Sequence, residues 1–154
     1  MPTTPDDRAG ADPPGPRPGD PIPPFSRTTG FDLWNRYAAV NDEFVPIHMD
    51  DEAGREAGFP GAFGMGNLQW SLLHSLLRQW LGDRGRIVRV ACQFRAPNLK
   101  GRTVTAAGRI TQVRRDGDEL LVDLEVWTVD DEGAALAPGT ATVALRAGRE
   151  KAGS

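Results

Sequence analysis

Residues 65–81 constrain the fold more than any other part of the chain. Their large apolar side chains, Met65, Leu68, Leu72, Leu73, Leu76, Leu77, Trp80 and Leu81, have helical spacing and cover most of a helix circumference. Asn67, Ser71, His74, Ser75 and Arg78 fall at steps of four, three, one and three, and so form one polar stripe. A helix this apolar must be wrapped by other elements, and Gly82 supplies its stop. The wrapping follows directly. From Arg86 onward the pattern changes to runs rich in Val, Ile, Leu and Thr, which predict strands over 87–94, 103–114, 119–130 and 140–145. Turn signals at 98–101, 116–117 and 130–133 separate them. Leu120, Val122, Leu124 and Val126 alternate with Asp123 and Glu125, so one face of that strand is buried. The expected architecture is α+β, with an antiparallel sheet wrapped around a long central helix. One helix on one small sheet leaves the sheet edges underused, and dimerisation through an edge strand is the economical remedy.

The N-terminal part has a different character. Residues 1–24 hold nine of the 13 prolines, and Ile22 is their only large aliphatic residue after Met1. Such a segment is expected to be a disordered tail, because it cannot bury enough apolar surface to offset its ordering entropy. The domain is then expected over 25–146, with a flexible C-terminal tail over 147–154. A short strand is expected over 25–28, with Thr29 as N-cap of a helix over 31–40 that packs through Phe31, Trp34 and Ala38. Pro46 holds Val45 extended and is expected to bar a helix there. Asp50, Asp51 and Glu52 suit the first turn of a second short helix that Gly58 ends.

Several function classes are disfavoured. A net charge of −3 argues against a general nucleic-acid binder. No apolar run approaches the length needed to cross a bilayer, and the N-terminus lacks the basic-then-apolar pattern of a secretion signal. The single cysteine, Cys92, permits neither an internal disulfide nor a cysteine metal cluster, and reads as a small buried hydrophobe. The expectation is a reduced, cytoplasmic protein.

Chemistry concentrates in residues 37–50, which read YAAVNDEFVPIHMD. His48, one of two histidines, follows a Pro46-Ile47 step, and Asp42 and Glu43 lie just upstream. An imidazole and a carboxylate on a constrained loop are the usual parts of general acid–base catalysis. His74 lies on the polar stripe of the long helix and is read as non-catalytic. Asp50, Asp51 and Glu52 are read as a helix-start cluster rather than a metal site. Arg86, Arg89, Arg95, Lys100 and Arg102 are read as solvated strand and turn charges.

This stretch resembles the signature of the MaoC-like, (R)-specific enoyl thioester hydratases, which runs roughly Y-A-x-x-S-G-D-x-N-P-(I/L)-H-x-D. Tyr37, Ala38, Pro46, His48 and Asp50 match without a gap. A family His-Gly-Met at the start of the central helix corresponds to Phe63-Gly64-Met65. A strand followed by a proline and a turn ending in glycine corresponds to Gln93-Phe94, Pro97 and Gly101. The family's catalytic Asp falls on Glu43, its preceding Gly on Asp42 and its supporting Asn on Val45.

The resemblance implies a single hotdog fold over about residues 25–145. It implies water addition to, or removal from, a 2-enoyl/3-hydroxyacyl thioester carried on coenzyme A or acyl carrier protein, with no metal or redox cofactor. His48 with Glu43 or Asp42 would move the protons. Gly64 and Met65 would offer backbone N–H groups to the thioester oxygen, and Phe63, Val45 and Phe59 would line the acyl tunnel. A homodimer, or a heterodimer with another hotdog chain, is the implied assembly. Two alternatives stay open: a non-catalytic hotdog subunit supporting a catalytic partner chain, and a hotdog acyl thioesterase.

Overall fold

The computed structural model describes residues 15–147. In chain order the elements are β1 (Pro21–Thr28), α1 (Phe31–Asn41), α2 (Pro46–Met49), α3 (Asp51–Glu56), α4 (Gly66–Leu81), a 3-10 turn (Gly82–Arg84), β2 (Gly85–Cys92), β3 (Thr103–Asp116), β4 (Glu119–Asp130) and β5 (Ala135–Arg146). The five strands form one antiparallel sheet in the order β1-β3-β4-β5-β2. Helix α4 lies against it. Leu72, Leu73, Leu76, Leu77 and Leu81 pack with Val104, Ile110, Val122, Leu124, Val126 and Val143 from the sheet's inner face. Each such buried aliphatic side chain contributes roughly 1.5–3 kcal/mol. This is the wrapped central helix expected from the sequence.

The alternation in β4 is confirmed, since Val122, Leu124 and Val126 are buried and Glu125 is exposed. The α4 stripe also holds at its ends, where Asn67 and Arg78 are exposed. A second cluster joins Trp34 and Ala38 of α1 to Ala62, Met65 and Leu68, so α1 is seated on the start of the central helix.

Three local expectations are corrected. First, the expected tail gives up its last residues to the fold. Pro21 to Pro24 belong to β1, Ile22 enters the core at 4% exposure, and Gly19 and Asp20 exchange backbone hydrogen bonds with Ile110. The prolines are tolerated because β1 is an edge strand with a register shift between Ile22 and Phe25. Residues 1–14 of the expected tail, and 148–154 at the other end, lie outside the described residues.

Second, Thr29 does not cap α1. Gly30 holds the N-cap position, while the buried Thr29 hydroxyl is 2.5 Å from the Leu99 carbonyl and ties the strand end to the β2–β3 loop. Third, Pro46 begins a helix rather than barring one. It is the first residue of α2, where the missing N–H costs nothing. α3 matches expectation: Asp50 caps it by accepting from the Ala53 N–H.

Cys92 is only partly buried, at the end of β2. Among the described residues, no helix is long and apolar enough to cross a membrane.

Candidate active site

The α1–α2 connection carries the acids and α2 carries the histidine. α1 ends on Asp42, which adopts a left-handed conformation at φ 53°. The Asp42 and Glu43 N–H groups both point back to the Ala38 carbonyl, closing the helix. Asp42 therefore occupies a place that favours glycine, and aspartate is among the few other residues that tolerate it. Its side chain is exposed, whereas Glu43 is half-buried. Val45 then turns extended and caps α2 with no side-chain hydrogen bond.

His48 is 7% exposed. Its Nδ1 lies 2.6 Å from the Phe63 carbonyl oxygen. A carbonyl can only accept, so Nδ1 carries the proton and Nε2 of the neutral ring is left with its lone pair. This is the tautomer that a base acting through Nε2 requires. The Phe63 ring stands edge-on to the imidazole at 5.3 Å, and the Phe59 ring lies 4.2 Å beyond it. His48 thus packs against an apolar aromatic wall, and the half-buried Glu43 lies on the loop that precedes its helix.

The structure brings His48, Phe63 and Phe59 into contact and places Glu43 and Val45 on the loop leading to them. It does not join the carboxylate of Asp42 or Glu43 to the His48 ring by a hydrogen bond or ion pair among the described residues. Nor is the Gly64 N–H free. It donates to the Asn98 carbonyl at 2.8 Å, against the expectation that it would face a thioester oxygen. Met65 sits at the N-cap of α4 and is fully buried.

His74 stays outside this cluster, with Nδ1 3.0 Å from the Trp70 carbonyl. Asp50 and Asp51 also have structural partners. Asp51 accepts from the Ala62 N–H at 3.0 Å and pairs with Lys100 at 2.6 Å. The Lys100 hydrogen bond and the Ala62 N–H hold its carboxyl below the usual carboxylate range.

Sequence reading missed Asn98, which it took only as a turn residue. Asn98 is fully buried and accepts at Oδ1 from the Trp34 indole N–H at 2.8 Å. Its Nδ2 donates to the Met65 carbonyl at 3.3 Å. A second buried polar group, Gln69, accepts from Thr128 and donates to the Ala96 carbonyl. The one available signal was an asparagine beside Pro97 in a segment otherwise bound for the surface.

Comparison with known proteins agrees with this fold. The family model described as "MaoC like domain" matches residues 16–130. An (R)-specific enoyl-CoA hydratase of Aeromonas caviae is 32% identical over 111 residues, covering 71% of this chain and 81% of that protein. A solved (R)-hydratase from A. caviae, described as involved in PHA biosynthesis, superposes with a TM-score of 0.75 at 26% identity over 82% of this chain and 95% of its own. The ChsH1–ChsH2 complex from Mycobacterium tuberculosis has a chain of the same fold, with a TM-score of 0.75 at 19% identity, covering 84% of this chain and 98% of that one.

Proposed function

Because this chain belongs to the MaoC-like family and has its hotdog fold, we propose that it is a hydro-lyase that adds water to, or removes it from, a 2-enoyl/3-hydroxyacyl thioester. The observation that carries this reading is the His48–Phe63 hydrogen bond, which leaves Nε2 as a base beside the loop that bears Glu43. In the hydration direction a water held between Nε2 and the Glu43 carboxylate attacks Cβ of the enoyl group. One of the two groups takes a proton from the water, and the other delivers a proton to Cα. Glu43 is the better placed acid, since it is half-buried and Asp42 is exposed at a helix end.

Negative charge building on the thioester oxygen is met by the N-terminus of α4. At the start of this helix the Leu68 N–H donates to the Met65 carbonyl at 3.2 Å, which leaves the Gly66 and Asn67 N–H groups for the oxygen. Phe59 and Phe63 form the apolar wall for the acyl chain. Coenzyme A or acyl carrier protein carries the substrate.

The assembly is a dimer of hotdog chains, of two copies or of this chain with a second one. β2 is an edge strand, and between it and α4 runs a groove of about 710 Å³ lined by Trp70, His74, Arg78 and Val88. Trp70 and Val88 are exposed there, as expected of a surface that another sheet edge covers.

The test is loss of enoyl thioester absorbance when purified protein meets crotonyl-CoA and longer enoyl-CoAs. Turnover by the protein alone supports the proposal. No turnover alone, with turnover on adding a second MaoC-like chain, would instead assign it the role of a supporting subunit.

A further inference from the structure

We propose that Asn98 is a positioning residue for His48, acting through the main chain of Phe63, Gly64 and Met65; the inference rests on the reading of His48 as the base. The three residues are held at both ends. On one side, the Phe63 N–H donates to the Ile47 carbonyl at 3.2 Å and the Phe63 carbonyl accepts from His48 Nδ1 at 2.6 Å. On the other, Asn98 takes the Gly64 N–H on its backbone carbonyl at 2.8 Å and donates from Nδ2 to the Met65 carbonyl at 3.3 Å.

The Asn98 amide is itself fixed by the indole of Trp34, which donates to Oδ1 at 2.8 Å. Both Trp34 and Asn98 are fully buried, so water cannot stand in for a lost partner. The fit is close. A Cβ at Gly64 would lie 1.7 Å from Asn98 Oδ1 and 2.4 Å from the Trp34 nitrogen. A carboxamide at position 98 meets both demands, an acceptor for the indole and a donor for Met65.

The consequence falls on the tautomer of His48. The Phe63 carbonyl keeps the proton on Nδ1 only while it stays within hydrogen-bond reach. If the Gly64–Met65 segment relaxes, that acceptor moves, the proton redistributes between the ring nitrogens, and the fraction of rings with a free Nε2 lone pair falls. A purely structural asparagine would lower stability without touching this distribution.

The experiment reads the ring nitrogens of His48 by long-range ¹H–¹⁵N correlation in uniformly labelled full-length protein, with the ring neutral. The chain has two histidines, so a His48→Gln variant assigns the signals. The wild type should show one tautomer, protonated at Nδ1. Asn98→Ala should show a mixture of the two, and Asn98→Asp, which keeps the acceptor for Trp34 but loses the donor to Met65, should shift the same way. In turnover, kcat should fall about ten- to a hundredfold, with KM nearly unchanged. A folded Asn98→Ala that keeps the wild-type tautomer overturns the proposal. Should that variant not fold, Asn98→Asp and Trp34→Phe decide in its place, and unchanged signals in both overturn it equally. The nitrogen signals need no substrate, so a protein without hydratase turnover would sink the proposed activity and leave this test standing.

Discussion

His48 and Phe63 lie 15 residues apart in sequence, and the imidazole Nδ1–H of one donates to the main-chain carbonyl of the other at 2.6 Å. The same Phe63 also lays its ring edge-on to the imidazole. One residue thus sets the proton position and limits the ring's rotation. The side chain at position 63 matters for packing, and the carbonyl, which any residue supplies, for chemistry. This explains how the chain can carry Phe where the family signature has His and keep the His48 geometry.

Glu43, rather than Asp42, should be the acid partner. Glu43→Gln should lower kcat by about a hundredfold or more, the range expected for a general acid–base group. Asp42→Asn should leave it nearly unchanged. Steady-state rates on an enoyl-CoA check this, and the opposite pattern would transfer the role to Asp42.

Asp42 should be a site of stored backbone strain. Its φ of 53° costs a non-glycine residue energy. Asp42→Gly should therefore raise stability by about 0.5–1 kcal/mol. The denaturation midpoint reads the change, and a lower midpoint would show that the aspartate side chain stabilises the helix end more than its backbone strains it.

Gly64 should tolerate no side chain. The nearest atoms to an added Cβ belong to Asn98 and Trp34, both buried and hydrogen-bonded to each other. Gly64→Ala should cost about 3 kcal/mol or more, by overpacking and by breaking that pair. A midpoint close to wild type would mean that the loop can shift freely, which would also weaken the case for a clamp at Asn98.

Asp51 should make stability depend on pH on the acid side. Its carboxyl is held below the ordinary value of 3.8 by the Lys100 hydrogen bond first and the Ala62 N–H second. A carboxyl lowered in the folded state contributes stability that is present above its unfolded value and is lost as pH falls through the folded one. Thermal melts of Asp51→Asn should accordingly show a smaller loss of Tm below pH 3.8 than wild type. Equal slopes in the two proteins would remove Asp51 from the acid response.

Much of the fold was legible in the chain. β4 spans the residues its alternation predicts, and α4 ends at Leu81 before Gly82 as its spacing requires. Those patterns repeat over two to four residues and need no knowledge of distant partners. The His48 motif was legible for the same reason, being one uninterrupted stretch. Composition was a poorer guide at the N-terminus. Prolines suggested a tail through residue 24, yet the edge position of β1 spares them the hydrogen bonds they cannot make.

The sequence by itself thus determined the central helix, the run of strands and the acid–histidine loop, because each is written in neighbouring residues. Tertiary structure alone decided which groups those elements bring together. It turned Thr29 from a helix cap into a buried tie to Leu99 and left Asp42 exposed while half-burying Glu43. It also placed Asn98 against Trp34, 64 residues away. A buried amide has no periodicity to betray it. Its partners are fixed only when the packed core excludes water and every polar group inside must find a mate.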